Sequence, residues 1–232
     1  MEKKNQKRLL KDVVDIINNP LEDNGIYYVH DENNMLHANA MIVGPEDTLY
    51  NYGYYLFDIH FPKEYPFKPP KLTYLTNNGY TRFHPNLYKN GKVCLSILNT
   101  WRGEQWTSCQ TIRTVLLTLV TLFHNKPLLN EPGITEKFKY FQTYNKMIKY
   151  ENYKTSILSV LNKNIYPDKF KLFEKAIQEN YNKNKEKIKN QIHEKSSENI
   201  KVKYQINIYN NMTSNINYKK LYTNFLNFYN NN

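Results

Sequence analysis

A side-chain amide and a thiol fall eight residues apart in Arg82-Phe83-His84-Pro85-Asn86-Leu87-Tyr88-Lys89-Asn90-Gly91-Lys92-Val93-Cys94, with a glycine-containing turn between them and Leu95-Ser96-Ile97-Leu98 beyond. Residues so close in sequence share one irregular loop, the kind of segment on which a rigid scaffold presents reactive groups. A free thiol of pKa about 8.5 is only a few per cent ionised at neutral pH, so a hydrolytic cysteine needs a base beside it. The Gln-Ala-Cys and Cys-Gly-Ser-Cys signatures of cysteine proteases are absent, which argues against proteolysis. A thiol that takes an acyl group from an activated thioester and passes it on needs less, because the thiolate is also a good leaving group. The hard step is then aminolysis by a lysine, of pKa about 10.4, through a tetrahedral oxyanion. It is helped by an amide donor, for which Asn86 is the candidate, and by a carboxylate near the incoming amine, for which Glu131 in Asn130-Glu131-Pro132-Gly133 is the candidate. Taken singly, Asn86 reads as a loop-ordering amide and Glu131 as a solvated surface acid.

These groups need a frame. Residues 5–18 carry Leu9, Leu10, Val13, Val14, Ile16 and Ile17 at helical spacings, which predicts an opening helix with one apolar stripe, ended by Pro20. Its other side carries Lys4, Lys7, Arg8 and Lys11, a solvated face or a docking surface for an acidic partner. Period-two alternation predicts strands at Ile26–His30, Leu36–Val43 and Tyr54–Phe61, each with one greasy face, and a fourth strand follows at Lys71–Leu75. Before the fourth, Phe61-Pro62-Lys63-Glu64-Tyr65-Pro66-Phe67-Lys68-Pro69-Pro70 is too rich in proline for helix or central strand, so it is a stiff loop. Phe67 in it is a core plug or an exposed anchor. Ile112, Val115, Leu116, Leu119, Val120 and Phe123 mark a buried central helix capped by Thr107 or Ser108, with Cys109 a small packed residue in its first turn. Further helix is expected from about Thr135. Residues 155–232 contain helical spacings at Phe170, Phe173 and Ile177 and at Leu221, Tyr222, Phe225 and Tyr229, a short strand at Val202–Ile208, and a polar stretch Asn182–Asn199 that is a solvated helix surface or a linker.

The 232-residue length suggests a core domain, 1–154, and a basic, mainly helical extension, 155–232, packed on it. The core holds 19 Lys and Arg against 15 Asp and Glu, the extension 13 against 6, so most of the net charge of +11 lies in the extension. All 13 of those cations are lysine, without the arginine that reads phosphate or guanine bidentately, and this argues against nucleic acid as a partner. Two cysteines are too few for a disulfide framework or a cysteine-rich metal site. With no signal-like start and no run approaching a membrane span, the expectation is a soluble protein of a reducing compartment, cytoplasmic or also nuclear, without membrane contact.

Together with these residues, Gly44-Pro45-Glu46-Asp47-Thr48, Tyr65-Pro66-Phe67-Lys68-Pro69-Pro70, His84-Pro85-Asn86, Gly91-Lys92-Val93-Cys94-Leu95 and Trp106 resemble the ubiquitin-conjugating enzymes over roughly residues 5–154. Cys94-Leu95-Ser96-Ile97-Leu98-Asn99-Thr100-Trp101 and Asn130-Glu131-Pro132-Gly133 are similar to the extended group with conjugating enzyme Z and the giant inhibitor-of-apoptosis conjugating enzyme. The resemblance implies an α+β fold, a four-stranded antiparallel meander with an N-terminal helix, a central helix and C-terminal helices. It implies that Cys94 accepts ubiquitin or a ubiquitin-like modifier as a thioester from an activating enzyme and hands it to substrate lysines, usually with a ligase. Asn86 is then the oxyanion-stabilising or loop-ordering amide, Glu131 or its neighbour Asn130 the acidic gate, and His84 and Pro85 structural parts of the turn. Lys4, Lys7 and Arg8 match the surface that meets the activating enzyme. Phe67, Trp106, Thr107 and Ser108 match the ligase-contacting loops, with Ser108 where the family usually has proline. No bound cofactor or metal is implied, ATP being used by the activating enzyme, and Tyr65–Pro66 is expected to be cis.

Overall fold

Helix α1 (Lys3–Asn18) leads into strands β1 (Ile26–His30), β2 (His37–Val43), β3 (Tyr54–His60) and β4 (Lys71–Tyr74) in the computed structural model, which describes residues 1–198 and 201–231. The strands pair antiparallel in chain order. The register sets Ala40 opposite Phe57 and Phe57 opposite Tyr74, so Ala38, Ala40, Ile42, Phe57, Ile59, Leu72 and Tyr74 form one buried face. Against it lie Leu9, Val13 and Ile16 of α1 and Ile112, Val115, Leu116 and Leu119 of helix α2 (Ile112–Val120). A nine-residue helix is shorter than the roughly 12–15 residues that hold alone in water. Each of its large apolar side chains gains about 1.5–3 kcal/mol on burial, so packing keeps α2 formed.

Two expectations about these helices change. The six apolar residues of α1 do not form one stripe: Leu10, Val14 and Ile17 are 51%, 45% and 58% exposed. Adjacent apolar pairs spread over more of a helix than one neighbour can cover. Helix α2 is capped by Thr111, not by Thr107 or Ser108. Thr111 accepts from the Thr114 amide while its own amide donates back to the Thr114 hydroxyl, a reciprocal cap. The Thr107 amide instead donates to Gln110 Oε1, and the Ser108 carbonyl accepts from Arg8. Cys109 therefore lies outside the helix and is exposed rather than packed.

Beyond a short 3₁₀ turn, Pro127–Asn130, helix α3 (Phe141–Glu151) starts later than Thr135 and runs on as a π-helix, Asn152–Ser159. The expected boundary at residue 154 thus falls inside a continuous helical run. The extension adds α4 (Pro167–Lys171), α5 (Glu174–Ser197), a hairpin of β5 (Lys201–Ile206) and β6 (Met212–Asn217), and α6 (Tyr218–Asn231). The expected strand at Val202–Ile208 is β5, but β6 was not anticipated. Its inward positions are Met212, Ser214 and Ile216, and the polar Ser214 breaks the apolar signal because its hydroxyl donates to the buried Glu151 carboxylate at 2.7 Å. The stretch 182–197 is the C-terminal part of α5, buried at Asn184, Ile188 and Ile192, with Glu198 at its C-cap; Asn199 lies outside the described residues.

The extension also decides what the sheet's second face does. Met41, Tyr54 and Leu56 project there and are buried by Val160, Phe170, Phe173 and Ile177. Strands that alternate as if half-solvated are covered on both sides. Polar pairs fix the seam: Lys169 Nζ to Asp58 at 2.9 Å, Asn180 Nδ2 to the Tyr27 hydroxyl at 2.8 Å and Asn51 Nδ2 to Gln191 at 2.7 Å. Among the described residues no helix is long and apolar enough to cross a membrane.

Candidate active site

The segment from Arg82 to Cys94 is folded back on itself and tied to the sheet. The Tyr74 amide donates to the Gly91 carbonyl at 2.8 Å, and the Tyr88 amide to the Lys92 carbonyl at 2.9 Å. Gly91 has φ +86°, and a Cβ there would stand 2.9 Å from Thr73 Cγ2 and 3.0 Å from the Tyr74 carbonyl oxygen. Only glycine meets both the left-handed backbone and the close approach. The return brings residue 94 against residue 86. The Cys94 amide donates to the Asn86 carbonyl at 2.9 Å, and Asn86 Nδ2 donates to the Cys94 carbonyl at 2.6 Å. Both residues are buried, Cys94 to 1% exposure.

His84 has no freedom to act as the thiol's base. Its Nδ1 accepts from the Asn86 amide at 3.0 Å, so its proton sits on Nε2, which has no hydrogen-bond partner among the described residues. Burial, helped by the nearby His124 and Arg82, holds its pKa well below the usual 6.5. The ring is a neutral wedge that supports the turn. The neighbouring Pro85 turns its carbonyl to the Arg82 guanidinium.

Asn130 and Glu131, between which the sequence left the gate role open, face different partners. Asn130 Nδ2 donates to Asn86 Oδ1 at 3.4 Å, and Asn130 Oδ1 accepts from His124 Nε2 at 3.1 Å. His124 Nδ1 in turn accepts from the Lys126 amide at 3.2 Å, which fixes the tautomer. A polar chain from His124 through Asn130 and Asn86 thus ends at Cys94. An amide nitrogen carries two hydrogens, and one on Asn86 is used on the Cys94 carbonyl, which leaves one donor for a developing oxyanion. Glu131, the next residue, is half-buried and accepts at Oε2 from the Tyr209 hydroxyl at 2.7 Å. Tyr209 and His124 were not singled out from the sequence. No local motif marks either of them, and Tyr209 comes from the far end of the chain.

The expected partner surfaces separate into exposed and engaged residues. Lys4 and Lys7 are exposed. Arg8 is not a free cation: it pairs with Asp12 at 3.0 Å and donates to the carbonyls of Ser108 at 2.6 Å and Gln110 at 2.9 Å, tying α1 to the loop before α2. Phe67 is 63% exposed, so it is no core plug, and the preceding Tyr65–Pro66 bond is cis as expected. Trp106 is a strut between the two loops, 8% exposed with Nε1 donating to the Pro66 carbonyl at 2.6 Å, whereas Thr107 and Ser108 are exposed. Among the described residues His37, Asp58 and His60 could offer three metal ligands. They lie on the face covered by the extension, where Asp58 is already occupied by His37 and Lys169.

The ubiquitin-conjugating enzyme family profile matches residues 8–157. Ubiquitin-conjugating enzyme E2 Z of Xenopus tropicalis is 36% identical over 157 residues, 66% of this chain and 50% of the relative. The human dual E2 ubiquitin-conjugating enzyme/E3 ubiquitin-protein ligase BIRC6 is 39% identical over 135 residues, 55% of this chain and 3% of the relative. A solved structure of human ubiquitin-conjugating enzyme E2 G1 aligns with TM-score 0.46 and 31% identity, covering 53% of this chain and 97% of that one. The chain spans about half the length of the E2 Z relative or less in such matches. The four-stranded meander, the loop that pairs Asn86 with Cys94 and the profile match across most of the core agree: this chain belongs to the ubiquitin-conjugating enzyme family.

Proposed function

We propose that Cys94 accepts ubiquitin or a ubiquitin-like modifier as a thioester from an activating enzyme and delivers it to a substrate lysine, usually with a ligase. The observation that carries this reading is the reciprocal pairing of Asn86 with the Cys94 backbone, which holds an amide donor at the cysteine, while the adjacent His84 is kept neutral and engaged elsewhere. Transthiolation exchanges one thiol for another and needs no strong base. Aminolysis builds negative charge on the former carbonyl oxygen, where the remaining Asn86 donor would act. Glu131 would receive or orient the incoming ammonium group. The energy of the thioester comes from ATP used upstream, so no cofactor is bound. Exposed Lys4 and Lys7 suit an acidic activating-enzyme surface, and Phe67 with Thr107 and Ser108 suits a ligase. A cytoplasmic or nuclear location fits this chemistry.

Incubation with activating enzymes, ATP and a panel of modifiers is expected to give an adduct that a thiol reductant removes. Cys94→Ser is expected to give a reductant-resistant oxyester, and Cys109→Ser to leave charging intact. If no modifier yields a thiol-sensitive adduct, the chain is instead a scaffold that keeps the fold and binds without transferring.

A further inference from the structure

Tyr209 sits at the tip of the β5–β6 hairpin, in the extension, yet beyond an edge-on ring contact with Tyr144 its contacts point at Glu131 and at the loop that carries Cys94. Its hydroxyl donates to Glu131 Oε2 at 2.7 Å. Its ring lies 4.2 Å from the Arg82 guanidinium, which also stacks on Tyr88 at 3.5 Å. Lys89 Nζ donates to its carbonyl at 2.8 Å. The Arg82 amide also approaches the sulfur of Met212, the first residue of β6, at 3.3 Å. The same arginine donates to the Pro85 carbonyl, one residue before Asn86. The hairpin tip therefore grips both ends of the site, Glu131 on one side and the His84-Pro85-Asn86 turn on the other.

The backbone at Tyr209 is also unusual. Tyr209, Asn210 and Asn211 have φ of +52°, +58° and +55°. Asparagine enters this left-handed region readily, but a tyrosine rarely does. Local preference alone does not put a large aromatic there, and such outliers persist when surrounding contacts over-determine them. The hairpin itself is anchored by Ile206 and Met212, both fully buried in the main core.

We infer that Tyr209 is a positioning residue for acyl transfer: its hydroxyl holds the Glu131 carboxylate towards the incoming amine, and its ring fixes Arg82 and thereby the turn that carries Asn86. This rests on the proposed thioester function and assigns the extension a part in it. Burial, and then the Glu131 carboxylate, keep the tyrosine hydroxyl protonated, so it remains a donor throughout the working pH range. Glu131 Oε1 accepts no hydrogen bond among the described residues and is left for the amine.

The test is single-turnover discharge of a preformed ubiquitin thioester to free lysine between pH 6 and 9, for the full chain and for Tyr209→Phe, which keeps the ring on Arg82 and removes only the hydroxyl. Charging is expected at the wild-type rate, and discharge to slow roughly ten- to hundredfold, the interaction lost being one hydrogen bond to a charged acceptor. In a Glu131→Gln background the same substitution is expected to change nothing further. Unchanged discharge, equal losses in charging and discharge, or an undiminished effect in the Glu131→Gln background overturns the proposal and leaves Tyr209 a structural brace. The carbon-13 shift of the Glu131 carboxyl, read at a single pH, separates failure of this idea from failure of the function. If the wild type forms no thioester, a changed shift in Tyr209→Phe still supports the coupling, and an unchanged one overturns it.

Discussion

Between Asn86 and Cys94 the restraints on the thiol are mostly local. A left-handed glycine makes the turn, His84 accepts the Asn86 amide two residues away, and the two residues exchange hydrogen bonds across the turn. Tyr209 reaches the same site from the other end of the chain, on a hairpin whose second strand is polar and whose tip adopts three successive left-handed residues. One region is built by short-range rules and placed by β4. The other is placed only because Ile206, Met212 and Ile216 are buried and Ser214 finds Glu151. On the proposed function, the core supplies the reacting thiol and its nearest donor, while the extension sets the orientation of what surrounds them.

This contrast can be broken in three ways. Asn86→Ala is expected to cost lysine discharge about 10²–10³-fold, or about 2.7–4 kcal/mol for one oxyanion donor, with charging near normal. Discharge and charging failing together would show that the amide on the Cys94 carbonyl only holds the loop. Ile206→Ala, at a site 0% exposed, is expected to destabilise the whole chain by about 2–5 kcal/mol in a single urea transition. A separate early transition would make the hairpin an appendage rather than part of the core.

The smallest effect concerns pH. His84 is held neutral in the folded chain, its pKa well below 6.5, by burial first and by His124 and Arg82 next. The unfolded chain binds a proton at this histidine below about pH 6.5 and the folded chain does not, so its contribution to stability is present above that pH and is lost as pH falls. Urea midpoints measured from pH 7.5 down to 5.5 are expected to fall less steeply in His84→Gln than in the wild type. Equal slopes would remove His84 as the acid-sensitive element of the loop.

Much of the frame was legible from residue order. Period-two alternation located β1 to β3 to within a residue or so, the strand expected after the proline-rich loop is β4, and helical spacing located α1, α2 and the burial of Phe170, Phe173, Ile177, Leu221 and Phe225. The failures share a cause. The cap of α2 moved to Thr111 because Thr107 and Ser108 were engaged by Gln110 and Arg8, and Arg8 lies on a helix a hundred residues earlier. The face of β2 and β3 that alternation would leave to solvent is buried because α4 and α5 come to lie on it.

At the site, the sequence by itself determined that Asn86 and Cys94 meet, because a short segment with proline after His84 and glycine at residue 91 has few ways to turn. Tertiary structure alone decided how Asn130 and Glu131 differ. The two are adjacent and both polar, and no local rule separates them. Asn130 faces His124, six residues earlier, and Asn86 on the Cys94 loop, while Glu131 faces Tyr209, a partner that arrives only when a distant hairpin buries its apolar side against the core.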